Sequence, residues 1–345
     1  MTEIVQTTSS EAALAVRVEI PPELQPSAVF IPLEPGIRLQ PGWLSMVIFT
    51  LRGAIAACPD RVSLAFLRRS KITFRWLREI ELLREWRLLA ENQALGKGTR
   101  QHPLAMGVAV WPYIHAQWGF KKRVEKIQEH YRQVDVIAPQ LAIAFDGSLL
   151  LAKLDDIRPG LKLVIDRASW FVREGELVLN IFLQDQRLFS IAFSLDLDNG
   201  RKIARIGGIQ GVHGDKIVDL YRDLTKELFG LRPRDFLLDS LKLLCKSFGI
   251  DLVLAIADGN RQHRSSYFRQ DKAEKLGGNY DEVWSEHDGI LNTAGFFEIS
   301  TDLGFRLAAD IPARKRGLYR RRYEFLTQLE LKIKETLAKS SAHES

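Results

Sequence analysis

The sequence predicts an α+β fold: a helical N-terminal region followed by a mixed, mainly antiparallel sheet with flanking helices. Three observations carry that reading. Residues 252–257 form an unbroken apolar run, Leu-Val-Leu-Ala-Ile-Ala, which suits a strand covered on both faces and paired with a parallel neighbour. Leu177, Leu179, Ile181 and Leu183, and then Phe189, Ile191, Phe193 and Leu195, alternate with polar or smaller residues, as in an antiparallel meander. Upstream of about residue 140 the apolar stretches read as helices.

The 345 residues suggest about two domains. The divisions expected are a flexible leader at 1–40, a helical region at 41–140, a mixed α/β domain at 141–338 ending in a basic helix, and a tail at 339–345. With 46% hydrophobic and 27% charged residues the chain has enough apolar side chains for a full core, which excludes disorder of the bulk. The net charge of +6 and a pI of about 9.2 are compatible with an anionic partner. No nucleic-acid module is recognisable, and nucleic acid is not the expected partner. Cys58 and Cys245 lie in apolar helical contexts and read as buried thiols of a reducing compartment. The seven histidines are scattered, no Cys/His pair has ligand spacing, and no metal is expected. No Gly-x-Ser-x-Gly nucleophile elbow occurs.

Taken in order, residues 1–40 hold five prolines and little periodicity, with a short ordered piece expected at 28–33. The N-terminus lacks a basic n-region and an apolar h-region, so the expected location is cytoplasmic, with peripheral contact at the inner membrane left open. Pro41-Gly42 opens a first helix at 43–58; its apolar stretch carries Arg52 and is too short to span a bilayer. Further helices are expected at 62–67 and 74–92. The latter sets Arg75, Arg78, Arg84 and Arg87 against Glu79, Glu81 and Glu85, either as a solvated face or as a face for acidic lipid or nucleic acid. An aromatic segment at 103–118 precedes a helix at 121–136 that carries Glu129-His130-Tyr131.

Asp198-Asn199-Gly200 turns the meander into a strand at 203–209. Gly207, Gly208 and Gly211 at its end mark a close approach, by a ligand or by a neighbouring element. They have neither dinucleotide-fingerprint nor phosphate-loop spacing. A helix at 216–229 leads to Gly230-Leu-Arg-Pro-Arg-Asp235, where Pro233 suits a first helical turn. Free N–H groups with Arg232 and Arg234 there make an anion site, unless the arginines pair with Asp235 or Asp239. The helix at 236–248 ends at Gly249. Beyond the apolar strand, Asp258 and a polar loop containing His263 occupy the place where strand ends line sites. Gly277-Gly278-Asn279 precedes a short helix at 280–284, and 296–299 reads as another strand. A last helix runs from about 313 to 337 with six cations between Arg314 and Arg322, and 340–345 forms the tail.

Ile206-Gly-Gly-Ile-Gln-Gly211, Thr225-Lys226, Gly230-Leu-Arg-Pro-Arg234, Tyr280-Asp281 with Trp284, and Lys315-Arg316 with Tyr319-Arg-Arg-Arg-Tyr323 together resemble the VirK/YbjX family of bacterial proteins, as does His130-Tyr131. The resemblance covers roughly residues 45–330. It implies a bacterial, cytoplasmic protein linked to virulence and envelope stress, and supplies no catalytic residues. The element order from the meander onward is similar to the GCN5-related N-acyltransferase core, which makes 141–338 an acyltransferase-like domain. That similarity implies acyl-coenzyme A between the strands at 203–209 and 252–257, against Gly207, Gly208 and Gly211. It places the pyrophosphate at Gly230, Arg232 and Arg234, and Tyr280 as the acid for the leaving thiolate. The base that deprotonates an amine would then be Asp258, His263 or Asp281. The usual phosphate loop is reduced here to Gly230-Leu231-Arg232, and an additional helix precedes it. Two readings stand: an acyltransferase-like enzyme, or a relic of one, using acyl-coenzyme A; and a non-catalytic accessory protein that binds anionic lipid or an acidic protein.

Overall fold

The structure, a computed structural model, describes residues 42–59, 64–92, 95–96, 98, 103–268 and 279–342. The expected leader at 1–40, Gly277-Gly278 and the last three residues of the tail lie outside the described residues.

Among the described residues, eight strands form one open sheet: β1 (Leu149–Lys153), β2 (Leu161–Asp166), β3 (Leu177–Leu183), β4 (Gln186–Asp198), β5 (Arg201–Gly211), β6 (Leu252–Ile256), β7 (Ile290–Leu291) and β8 (Phe296–Ser300). Their order is β1-β2-β3-β4-β5-β6-β8-β7, and every pair is antiparallel except β5 with β6. Asn199 (φ 49°) and Gly200 (φ 77°) supply the two left-handed residues of the tight β4–β5 turn. A parallel neighbour needs a crossover. Here it contains two helices, α5 (Asp215–Glu227) and α6 (Pro233–Ser247), numbered after α1–α4 of the N-terminal region. Pro233 sits in the first turn of α6, and Gly249 (φ 66°) follows its C-cap. Leu237, Leu241 and Leu244 of α6 are buried in the core. The last helix, α8 (Arg316–Ala342), packs on α6 and β1, with the Phe325 ring 5.7 Å from that of Phe236. It runs past the expected end near 337, so part of the expected tail is helical.

The N-terminal region consists of α1 (Trp43–Ala57), α2 (Ala65–Arg78), α3 (Ile80–Asn92) and α4 (Phe120–Ile137). The boundary between the second and third helices differs from expectation. The break falls at Glu79 (φ −109°, ψ 61°), which lets Trp76 and Trp86 meet across the corner, 5.2 Å between centroids. Two fully buried indoles hold that corner. A 3-10 segment at Pro103–Ala109 lies under α1 and α2, and α4 packs on β4. Helices and sheet share one continuous apolar core. Cys58 and Cys245 are buried and free.

Candidate acid–base site at the end of the parallel strands

The β5–β6 ladder runs only from Ile203↔Leu252 to Ile206↔Ala255. β5 then continues to Gly211 on β4 alone, with a register shift that leaves Gly207 as the extra residue opposite Ala192 and Phe193. A bulge re-aims the strand and admits a neighbour to its backbone. The neighbour is the β2–β3 connection. A Cβ on Gly207 would overlap the Glu174 carbonyl oxygen, and one on Gly208 would overlap the Glu174 carboxylate. The close approach marked by these glycines is therefore made by the chain's own Glu174. Gly211 instead makes room for the Phe189 ring and the Tyr221 hydroxyl.

Glu174 is buried. Burial pushes its carboxyl up to about 7, against the Arg261 charge and a hydrogen bond from Gln262, which pull it down. Its Oε2 has no hydrogen-bond partner in the structure, and neither has the buried Oε1 of Gln262. Of the expected catalytic residues, His263 meets this carboxyl, and Asp258, Tyr280 and Asp281 are joined to one another through the loop that carries His263. His263 Nδ1 lies 3.8 Å from Glu174 Oε1. Arg261 stacks on the Tyr280 ring at 3.8 Å and bonds Asp258 Oδ1 at 3.2 Å. Arg264 bonds Asp258 Oδ2 at 2.7 Å, and the Asp258 backbone N–H donates to Asp281 Oδ1 at 2.7 Å.

Partial burial pushes Asp258 up, but hydrogen bonds from Arg264 and Arg261 win and hold it below its ordinary value. It is thus a poor base near neutrality. Tyr280, the first residue of α7 (Tyr280–Ser285), spends its hydroxyl on β5: it accepts from the Ile209 N–H at 2.9 Å and donates to the Ile209 carbonyl at 2.8 Å. Burial, followed by the Glu174 charge, raises its pKa. Asn279 caps α7 by accepting from the Asp281 N–H, and Trp284 donates to the Ile256 carbonyl, so α7 is tied to both parallel strands. The aromatic segment joins here as well: His115 lies 3.1 Å from Asn260, and the Asn260 carbonyl accepts from the Ala116 N–H.

Glu174 and Arg261 were missed by sequence reasoning. Glu174 stands in a Glu-Gly-Glu stretch between strands, a composition that suggests an exposed turn. Gly207-Gly208 signals that something approaches the strand, not what. His130 turns out to serve the core: its Nδ1 accepts from the Leu195 N–H at 2.9 Å, and burial, then the Arg167 charge, takes its pKa down to about 3.

Gly230, Arg232 and Arg234 belong to a different cluster, at the start of α6. Arg232 bonds Asp235 Oδ2 at 2.5 Å and Glu286 Oε2 at 2.6 Å. Arg234 bonds Asp235 Oδ1 at 3.0 Å and also reaches Glu286. Burial works against ionisation of Asp235, yet His287 and the two arginines hold its carboxyl well below the usual range. Two cations and two carboxylates thus close on themselves, and Arg232, Asp235 and Glu286 of this set line a cavity of about 490 Å³ together with Lys242, Tyr319 and Arg322. Gly230 (φ 82°) is required there by its left-handed backbone. Among the described residues, no group of three or more His, Cys, Asp or Glu side chains is placed to hold a metal ion.

Fold and site together define an α+β protein with, among the described residues, one open, mostly antiparallel sheet and a buried acid–base cluster where its parallel strand pair parts. Residues 63–335 match the family described as "Protein of unknown function (DUF535)", and the chain belongs to that family. It is similar to the uncharacterized protein YbjX of Escherichia coli (strain K12), 24% identical over 225 residues, which span 64% of this chain and 68% of that protein. It is also similar to an uncharacterized Haemophilus influenzae (strain Rd) protein, 30% identical over 163 residues, 47% of this chain and about half (53%) of that protein. The VirK/YbjX resemblance is thereby supported. No solved structure matches the chain.

Proposed function

We propose that the chain is an enzyme of the acyl-transfer class in which Glu174 takes the proton from an amine acceptor. The Glu174 carboxyl carries this reading: it is buried, pushed to about 7, unpaired at Oε2, and set where β5 leaves β6. A general base works best with a pKa near the working pH. In the proton step the acceptor's ammonium nitrogen gives a proton to Oε2, and the neutral amine keeps the lone pair needed to attack an acyl carbonyl. His263 and Gln262 position the carboxyl. Asp258, Arg261 and Asp281 hold the loop that carries them. Tyr280 is a positioning residue for the β5 backbone, its hydroxyl already committed to Ile209. One parallel strand pair within an antiparallel sheet supports the likeness to the acyltransferase core. The virulence and envelope-stress links implied by the VirK/YbjX resemblance form part of the same proposal.

Acyl-coenzyme A does not fit the positions expected for it. A pyrophosphate at Arg232 and Arg234 would face Asp235 and Glu286, which already neutralise both guanidinium groups. The Gly207-Gly208 backbone is covered by Glu174. No step is therefore assigned to coenzyme A.

The test is thiol release from short- and long-chain acyl thioesters in the presence of primary amines. Wild type should turn over with a rate that rises through about pH 7, where Glu174 ionises. Glu174→Gln should lower it about 10²–10⁴-fold, the usual contribution of a general base. Equal rates in both proteins, or no release by wild type with any pair, would reject the reading.

A further inference from the structure

We infer that the outer faces of α1 and α2 form a docking surface for an anionic lipid bilayer. α1 is amphipathic in the inverted sense. Met46, Thr50, Ala54 and Ala57 face the core, whereas Leu44, Ile48, Leu51 and Ile55, spaced to form one helical stripe, face outward. Leu44 is 70% and Ile55 52% exposed. α2 repeats the arrangement: Ile72 and Trp76 are buried, while Phe66 (78%) and Phe74 (67%) stand outside with Leu67. Water alone gives a helix no reason to bury its alanines and expose its leucines and isoleucines.

The two helices pack on each other, and both rest on the 103–109 segment. A Cβ on Gly53 of α1 would press on Met106, Trp76 of α2 donates to the Met106 carbonyl at 2.9 Å, and Arg75 donates to the Ala109 carbonyl. The faces turned away from that segment carry the large apolar side chains.

Charge selects the occupant. α1 and α2 contain Arg52, Arg68, Arg69, Lys71, Arg75 and Arg78 and no Asp or Glu. Arg52, Lys71 and Arg78 are exposed beside the apolar stripe. Large apolar residues flanked by the cations of these two helices match the interface of a bilayer with acidic headgroups, where acyl chains take up the former and phosphates attract the latter. Trp43, exposed at the start of α1, suits the same depth. Among the described residues no helix is long and apolar enough to cross a membrane, so the contact is one of lying on the surface.

The experiment is flotation of the full chain with phosphatidylcholine vesicles, with and without phosphatidylglycerol. Binding is expected only with phosphatidylglycerol, and should weaken as salt screens the surface. Ile48→Ser with Phe74→Ser, and separately Lys71→Glu with Arg78→Glu, should each reduce binding about tenfold or more while leaving circular dichroism and melting unchanged. All four positions lie outside the core, and none belongs to the Glu174 cluster. Equal binding to neutral vesicles, or no flotation, overturns the proposal. So does a concentration-dependent dimer that the apolar double variant abolishes, or binding of an acidic protein alone, since the surface would then serve a second copy or a protein partner.

Discussion

Glu174 leaves a signature in stability that does not depend on turnover. Its folded pKa, about 7, lies above the ordinary value of 4.5. The folded state therefore holds the proton more tightly than the unfolded chain. The associated stability is fully present below the unfolded value and is lost as pH rises through the folded one. That difference corresponds to about 3 kcal/mol. Glu174→Gln, which cannot ionise, should melt close to wild type below about pH 4.5 and become the more stable protein by up to about 3 kcal/mol at pH 8. Urea denaturation of both proteins across this range checks it. A constant offset between them would mean that the carboxyl does not titrate near neutrality. Such a test separates the electrostatics of the residue from its proposed chemistry.

At the scale of elements, the bulge in β5 and the β2–β3 connection determine whether the site forms. Gly207→Ala drives a methyl group into the Glu174 backbone carbonyl, which cannot rotate away. The substitution should cost about 1–3 kcal/mol as overpacking and should displace Glu174 with it. Thermal melting would record the cost, and loss of the pH-dependent stability would record the displacement. Wild-type stability in this variant would show that Glu174 does not press on the Gly207 backbone. The strand elements were legible because their periodicity was strong: 177–183, the apolar run from 252 and the Asn199-Gly200 turn all appear where the residues place them. Pro233 and Gly249 likewise bound α6. The α2–α3 corner was not legible, because the burial of Trp76 and Trp86 that determines it is a tertiary effect. The acid–base cluster was half legible. Asp258 and His263 were placed by following the end of a buried strand, and Tyr280 and Asp281 by the similarity to the acyltransferase core. Glu174 arrives from a connection far away in sequence, and no local pattern announces burial of a carboxyl.

For the whole molecule the question is whether the N-terminal helices and the sheet unfold together. Buried polar bonds join them. Tyr131 of α4 donates to Glu176 at 2.8 Å, and Glu176 also accepts from Arg167 at 2.6 Å. His130 accepts from the Leu195 N–H, Tyr113 pairs with Ser194 at 2.8 Å, and Lys126 bonds Asp196, which holds Arg205 as well. Separating the helices from the sheet would take from Glu176 its Tyr131 bond, from Asp196 its Lys126 bond and from the Leu195 N–H its His130 bond. Each loss costs about 1–3 kcal/mol, more for the charged groups. Together with the shared apolar core, this argues that neither part is stable alone. Hydrogen exchange in a urea series should therefore show amides of α2 and α4 losing protection at the same midpoint as those of β3, β4 and β5. An earlier midpoint for residues 65–137 would show instead that the helical region opens separately and that these polar bonds do not couple it to the sheet.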